Sequence, residues 1–398
     1  MNSYKNILII QTAFLGDVIL LTPLIRAVKR LYPQANIDAL VVPQSQGVLE
    51  NNPHLRDVLT FDKRRNKWRA FWQTLRRLRA AKYDLAISPH SSVTTAWLMV
   101  LAGIPVRVGF DRWHAARYLT HRVPHYDDRS WHKVQKNLHL LTALSEPLRQ
   151  ALSPEAEPVE ADGPLRQAQG TDTEPCPPRL VGGEADRSLR SRQVGTGRAQ
   201  ETELTDLQTE LFPTQQDEAW AENKLAGFSS SEKPLIALAP GSVWNTKRWP
   251  KEHYIALSKK LCEQGYALVF IGGPDERPLC AEIIEQSGCQ ALNVASEASI
   301  LQSAALIGRC DLMICNDSGA LHIANAMQTD VFAFFGPTVP SIGYFPFRPN
   351  DVVFEREMDC RPCGSHGGNV CPLKHHECMT LITPEEVFAK VEQKFGKK

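Results

Sequence analysis

Residues 313–338, MICNDSGALHIANAMQTDVFAFFGPT, constrain the fold more than any other stretch of the chain. Leu312, Met313, Ile314 and Cys315 form a continuous apolar run, the pattern of a strand buried on both faces. The run stops at Asn316-Asp317-Ser318-Gly319, four turn or cap residues in a row, and residues 320–327 then read as a helix. A second apolar run, 331–335, ends in Gly336-Pro337-Thr338. Such a β-α-β unit puts small polar residues at the carboxyl end of both strands, the edge where open α/β sheets bind ligands. Asp317 or Ser318 can cap the helix, Gly319 admits close approach of backbone, and the helix N-terminus offers free N–H groups to a phosphate. The same features fit a well-capped helix in any Rossmann-like domain, and the unit alone does not choose.

The rest of the chain repeats this pattern in two halves. Residues 6–10 read as a first strand, followed by the loop 11–17 and a helix to residue 31, with Thr22-Pro23 as its N-cap and first helical residue. Gly16-Asp17 falls in that loop or on a short turn of its own. Strands at 37–42 and 84–88 alternate with helices at 67–81 and 132–144. The second half restarts with a strand at 235–239, and helices at 251–264, 278–286 and 300–309 alternate with strands at 267–271 and near 292–294. Strand–helix alternation predicts doubly wound parallel sheets. The expected organisation is an N-terminal Rossmann-like domain over 1–150 and a C-terminal one over 216–398, facing each other across a cleft. Between them, residues 151–215 are rich in Pro, Gly, Gln, Glu, Arg and Thr and sustain no period. Such a segment buries too little apolar area to offset its ordering entropy and reads as a disordered insertion in the linker.

Charge is divided unevenly between the halves. Residues 1–150 hold 22 Lys and Arg against 10 Asp and Glu, a net of +12, whereas the remainder carries −11. A basic first half suits an anionic partner, although an Arg-rich helix near 63–79 is equally consistent with plain solvation. No signal peptide is visible, and the apolar stretch 93–106 is too short for a membrane span, so a cytoplasmic protein is expected. Its ten cysteines are then expected to be reduced or metal-bound.

A dinucleotide enzyme wants Gly-x-Gly-x-x-Gly after its first strand; the first loop offers only Gly16 and the second half only Gly241. A Walker loop is also missing. What the second half offers is a phosphate site assembled from separated loops: a hydroxyl from Ser242, a point charge from Lys247 and backbone donors from Asp317-Ser318-Gly319. Together with Gly16-Asp17, with Gly241-Ser242 through Lys247-Arg248-Trp249-Pro250, with Asn316 through His322, and with Phe335-Gly336-Pro337-Thr338, these stretches resemble glycosyltransferase family 9, the ADP-heptose:lipopolysaccharide heptosyltransferases. The segment Asp359-Cys360-Arg361-Pro362-Cys363 with Cys371-Pro372 and Cys378 is most similar to the heptosyltransferase II branch.

The resemblance implies the GT-B fold and an inverting displacement at the anomeric carbon of a nucleotide-activated sugar. Such a reaction needs a base for the acceptor hydroxyl and positive groups for the departing diphosphate. By resemblance Asp17 is the base, although an Asp there also serves as a helix cap. Lys247 matches the diphosphate-binding lysine, and Asp317, Ser318, Gly319 and His322 match the donor-binding turn. An acidic residue after Gly272-Gly273 would hold the ribose hydroxyls, with Asp275 preferred to Glu276. Thr338 would face the transferred sugar or diphosphate, or simply close a turn. No metal or cofactor is required if Lys247 and helix dipoles cover the phosphate charge.

Acceptor recognition would then fall to the basic half. Lys63, Arg64, Arg65, Arg112, Arg117, His132 and Lys136 are candidate contacts to phosphate or carboxylate on a lipid-linked oligosaccharide, each also readable as solvated. The helix with Trp68, Phe71 and Trp72 suits either the cytoplasmic face of the inner membrane or the core. Cys360, Cys363, Cys371 and Cys378, with His375 and His376, have the composition of a structural zinc site, reduced thiols or a disulfide pair being the alternatives. Three other functions remain open at this point. They are a family 9 transferase for another nucleotide sugar, a GT-B nucleotide-sugar 2-epimerase that needs no acceptor, and a nucleotide-sugar-binding protein without catalysis.

Overall fold

The structure, a computed structural model, describes residues 3–63, 67–112, 114–125, 131–144, 206–228 and 233–396. Six strands form the first sheet: β1 (Asn6–Gln11), β2 (Asn36–Val41), β3 (Asp57–Thr60), β4 (Leu85–Ser88), β5 (Val106–Phe110) and β6 (His121–Val123). The second sheet holds β7 (Leu235–Ala239), β8 (Ala267–Phe270), β9 (Leu292–Asn293), β10 (Leu312–Asn316), β11 (Val331–Phe334) and β12 (Val352–Phe354). The orders are β3-β2-β1-β4-β5-β6 and β12-β11-β10-β7-β8-β9. Every pairing is parallel, and the second order read backwards is the first one again. Strand order reverses between β1 and β4 and between β7 and β10, so each sheet has one switch point at its carboxyl edge. The two-sheet α/β architecture is the one that the strand–helix alternation implies.

The apolar runs are strands because both faces are covered. Ile7 to Ile10, Ile236 to Leu238 and Leu312 to Cys315 are all fully buried. In the second half, Trp249 stacks on Phe334 at 4.4 Å between ring centroids, and its indole N–H donates to Ile382 O at 2.9 Å. That pairing ties the loop after β7 to the sheet, which matters for the site below.

Four details differ from the sequence reading. Edge strands β3, β6 and β12 are three or four residues long, too short to leave a period in the sequence. Thr22 is not an N-cap: it opens the Thr22–Leu31 helix, its hydroxyl donates to Ile19 O, and the cap position belongs to Leu21. Residues 206–214 pack as a strap, not as part of a disordered insertion. Arg26 bonds Glu210 at 2.6 Å and Asp206 at 2.9 Å, Gln208 reaches Asn325 O in the other half, and Leu211 is buried. Residues 151–205 lie outside the described residues. Finally, Cys262 and Cys289 form a disulfide with their Cα atoms 6.0 Å apart, which corrects the expectation of reduced or metal-bound thiols. The Lys251–Glu263 helix packs against Arg277–Ser287, and that contact brings the two cysteines together.

Candidate active site

The carboxyl edge of the second sheet is organised by Asn316, buried at the end of β10. Its amide donates to Pro240 O at 2.9 Å and Gly241 O at 3.1 Å, and its carbonyl accepts from Trp249 N at 2.9 Å. The loop after β7 is thereby held against β10, and the 3-10 turn Asn245–Lys247 aims its lysine across the edge. Lys247 Nζ lies 2.5 Å from Asp317 Oδ2, and the Thr338 hydroxyl donates to the same oxygen at 2.6 Å. Side chains from two other loops thus meet on the Asp317 carboxylate. Ser242 is buried beside them, its carbonyl accepting from both Nε and Nη2 of Arg248. Ser318 occupies the N-cap of the Gly319–Ala326 helix without a side-chain capping bond, so the first-turn N–H groups remain available to an anion.

Asp275 lies on the 3-10 turn Pro274–Glu276 that follows β8 at the same edge. It is exposed, whereas the next residue, Glu276, turns inward: its Oε2 accepts from Gly273 N at 2.7 Å. A Cβ on Gly241 would meet the Glu276 carboxylate, so the two loops touch here and a larger residue would displace that side chain. The carboxylate that faces Gly241 and the loop after β7 is therefore Glu276.

Asp17 sits on the short helix Leu15–Ile19 after β1, half-buried, and its Oδ1 accepts from the Tyr344 hydroxyl at 2.9 Å. This helix packs directly on Gly319–Ala326 of the other half. A Cβ on Gly16 would stand 2.6 Å from the His322 ring. His322 and Tyr344 lie within the field of both Asp17 and Asp317, so the two carboxylates face one space. Burial pushes the His322 imidazole down to about 4 despite those carboxylates, and it pushes the Tyr344 phenol well up. His322 is therefore neutral at pH 7.

On the first sheet's edge, Lys63 Nζ donates to Thr12 Oγ1 at 2.6 Å, and His90 Nδ1 lies 3.3 Å from the same hydroxyl. Burial first and then Lys63 hold His90 down at about 4, with Asp17 opposing. Lys63 is thus well placed near Asp17. Other candidate acceptor residues are not. His132 is buried, both ring nitrogens are used, by Val134 N and Phe345 O, and its ring packs on Phe345 and Phe347. It fastens the two halves and has no lone pair or proton left for an acceptor. Lys136 is buried on the same helix. Arg117 bonds the carbonyl and ring of His114 on its own 3-10 turn, and Arg112 lies 3.3 Å from His125. Arg64 and Arg65 lie outside the described residues.

A profile of glycosyltransferase family 9 (heptosyltransferase) matches residues 69–174 and 189–373. The chain belongs to glycosyltransferase family 9. It is 25% identical over 351 residues to lipopolysaccharide heptosyltransferase 2 of Escherichia coli K12, covering 84% of each chain. Lipooligosaccharide heptosyltransferase 2 of Haemophilus influenzae is 23% identical over 403 residues, covering 98% of this chain and all of that one. Among solved structures, a family 9 glycosyl transferase from Veillonella parvula aligns with a TM-score of 0.73 at 21% identity, covering 98% of this chain and 97% of its own. The E. coli ADP-heptose lipopolysaccharide heptosyltransferase II aligns at 0.69 and 22% identity, covering 98% of both. These likenesses show the GT-B fold, two Rossmann-like domains across a cleft.

The cysteine-bearing segment 360–378 closes over the loops after β7 and β11. Gly368 O accepts from Thr246 N at 2.9 Å, His376 Nε2 bonds Thr246 O at 2.7 Å, and Cys363 N donates to Pro337 O at 2.9 Å. Arg361 reaches Phe335 O and Thr338 O through one guanidinium nitrogen, and Gly336 O through another. The four candidate zinc ligands lie within one another's electrostatic reach but do not close into a metal-sized cluster. Cys378 is buried against Gly336, Cys363 is exposed, and Cys360 Sγ stands 4.0 Å from His375 Nε2. Among the described residues no three His, Cys, Asp or Glu side chains converge on a point. The segment acts as a peptide clamp whose hydrogen bonds come mainly from backbone and arginine.

Several site residues escape sequence reasoning. Tyr344, Glu276, Thr12 and His90 have no motif of their own. Lys133 is another: burial lowers its ammonium, and Asp17 opposes that most strongly.

Proposed function

We propose that this transferase moves heptose from ADP-heptose to the inner core of lipopolysaccharide with inversion at the anomeric carbon. One observation carries the reading: Asp17 from the first sheet faces the Lys247–Asp317–Thr338 cluster of the second across the His322–Tyr344 contact. Asp17 would take the acceptor hydroxyl's proton as its oxygen attacks the anomeric carbon, and the bond to the diphosphate breaks on the opposite face. Lys247 and the uncapped first turn of Gly319–Ala326 would carry the diphosphate's charge, and Glu276 would accept from the ribose hydroxyls. Tyr344 holds Asp17 in place through its hydroxyl. The neutral His322 excludes water without adding a competing cation. The names of the similar proteins support heptose as the sugar and the lipopolysaccharide core as acceptor. A lipid-borne acceptor implies work at the cytoplasmic face of the inner membrane, and no described helix is long and apolar enough to cross it.

The test is transfer from ADP-heptose to core-truncated lipopolysaccharide by wild type and Asp17→Ala. Acceptor-dependent ADP release that falls roughly 10²–10⁴-fold in the variant, the size expected for a lost general base, supports the reading. ADP-heptose binding by both proteins with no acceptor-stimulated turnover overturns it in favour of a binding protein. ADP-heptose consumed without acceptor, and equally by both proteins, points to isomerase or hydrolase chemistry.

A further inference from the structure

The Lys67–Ala81 and Val93–Leu101 helices cover one face of the first sheet. Phe71, Leu75 and Leu78 from one and Ala96, Leu98 and Met99 from the other share a core cluster with Leu8 and Ile10. Their opposite faces are unusual. On the second helix Val93, Trp97, Val100 and Leu101 recur at the spacing of a single helix face, and all four point to solvent, Trp97 at 48% and the others between 39% and 42%. The nine residues of that helix include no charged side chain. It is apolar on both sides, which a water-facing surface helix is not.

The neighbouring helix supplies the complement. Trp68 and Trp72, one turn apart, are 72% and 53% exposed. Arg69, Arg76, Arg77 and Arg79 are exposed around them, and the helix contains no acidic residue. Arg79 Nε donates to Leu101 O at 2.9 Å, which pins the cationic helix to the end of the apolar ridge. Trp97 meets Tyr118 edge-on, and the Arg117 guanidinium lies 5.9 Å from the same ring. Indoles beside guanidinium groups and an apolar ridge fit the boundary of an anionic bilayer, where rings sit at headgroup depth and arginines pair with phosphates.

We propose that these two helices form the face by which the protein docks on an anionic lipid bilayer. The Val93–Leu101 helix begins three residues beyond His90, which shares Thr12 with Lys63 beside Asp17, so the docked face opens directly onto the acceptor side of the cleft. Docking would therefore present a lipid-borne acceptor to the base. That last clause rests on the proposed transfer reaction; the docking itself does not.

Co-sedimentation with phosphatidylethanolamine–phosphatidylglycerol vesicles tests the proposal, with phosphatidylcholine vesicles as control. The full chain should bind the anionic vesicles, more weakly as salt rises, and ignore the control. Trp72→Ser/Trp97→Ser should lose at least tenfold in binding, and Arg76→Gln/Arg77→Gln about thirtyfold for the two charges together. Both variants should keep wild-type transfer to a delipidated core oligosaccharide while losing transfer to vesicle-embedded acceptor, which also shows that they fold. Equal vesicle binding by wild type and both variants overturns the proposal. So does an absence of vesicle binding in which Trp72→Ser/Trp97→Ser converts a dimer to monomer, because the face is then an interface between copies. Vesicle binding that behaves as expected, with no transfer to any acceptor, leaves the docking face standing and removes the transferase reading.

Discussion

The two sheets share one strand order, yet their carboxyl edges are built in opposite ways. The edge of the second sheet is a closed hydrogen-bond network. Asn316 ties two loops, Asp317 takes bonds from Lys247 and Thr338, and the 360–378 segment clamps both loops from outside. The edge of the first sheet is sparser: beside the Lys63–Thr12–His90 cluster, Asp17 holds a single side-chain bond among the described residues, and that comes from the other half of the molecule. A diphosphate is a fixed, highly charged object, and groups placed in advance stabilise it without reorganising. An acceptor hydroxyl needs one base and room to enter. The difference implies that variants at the first edge should affect the chemical step alone, whereas variants at the second should affect fold and chemistry together.

The largest effect should come from Asp17→Asn. It keeps the Tyr344 bond and removes the proposed proton acceptor, so kcat should fall roughly 10²–10⁴-fold with the unfolding midpoint unchanged. Stopped-turnover kinetics beside a thermal melt would check both halves of that statement; a lowered midpoint would contradict the sparse picture of this edge. Lys247→Met comes next and should cost about 10²–10³ in kcat/KM. It also leaves a buried carboxylate unpaired, which should remove about 3 kcal/mol of stability. Adding Asp317→Asn should restore the stability but not the rate, and a double mutant that restores neither would show that the pair is not the main support of this edge.

Glu276 gives a sharper division between neighbours. Glu276→Gln should raise KM for the nucleotide sugar about tenfold or more, the scale of a lost hydrogen bond to a charged group, with kcat little changed. Asp275→Asn should leave both constants alone. A reversed pattern would return the ribose role to Asp275.

Sequence reading recovers the parts of this molecule that are properties of position along the chain. Buried strands are apolar runs, and Lys247, Asp317 and Thr338 could be grouped because each follows a strand and so must lie at one sheet edge. What it misses depends on rotation or on distant contacts. Asp275 and Glu276 are adjacent, and only the sense of a single 3-10 turn decides which faces Gly241. His132 resembles an acceptor ligand until Phe345 and Phe347 cover it from more than two hundred residues away. Tyr344 meets Asp17 across 327 positions, and nothing local to either residue announces the pair. The strap over 206–214 is hidden by its polar composition, since its order comes from Arg26 and Asn325 rather than from a period of its own.

Acid should weaken the junction between the halves. Desolvation lowers His132 to about 3 and His322 to about 4, from 6.5. Between those values and 6.5 the unfolded chain binds protons that the folded one refuses, so this part of the stability is present above pH 6.5 and is lost as pH falls toward 3–4. The effect should be of order 3 kcal/mol for each ring. Asp351 works in the other sense: burial raises it to about 6, so its contribution grows as pH falls from about 6 toward 3.8. Unfolding free energy measured from pH 4 to 7 should therefore flatten in His132→Gln and steepen in Asp351→Asn. An unchanged slope in the first variant would mean that His132 does not titrate at the junction.

The smallest effect is the most specific to the comparison. Tyr344→Phe removes the only side-chain bond on Asp17 among the described residues and nothing else, because the ring stays packed beside His322 at 6.2 Å between centroids. A single hydrogen bond is worth about 1 kcal/mol, so kcat should drop roughly fivefold. Donor KM should not move, since the phenylalanine ring keeps the packing beside His322 and the lost hydroxyl bonds Asp17 rather than Asp317. If kcat is unchanged while donor KM rises, Tyr344 serves the closed second edge instead. The base then stands with no support from the other half, and the division of labour between the edges is complete rather than bridged at this one hydroxyl.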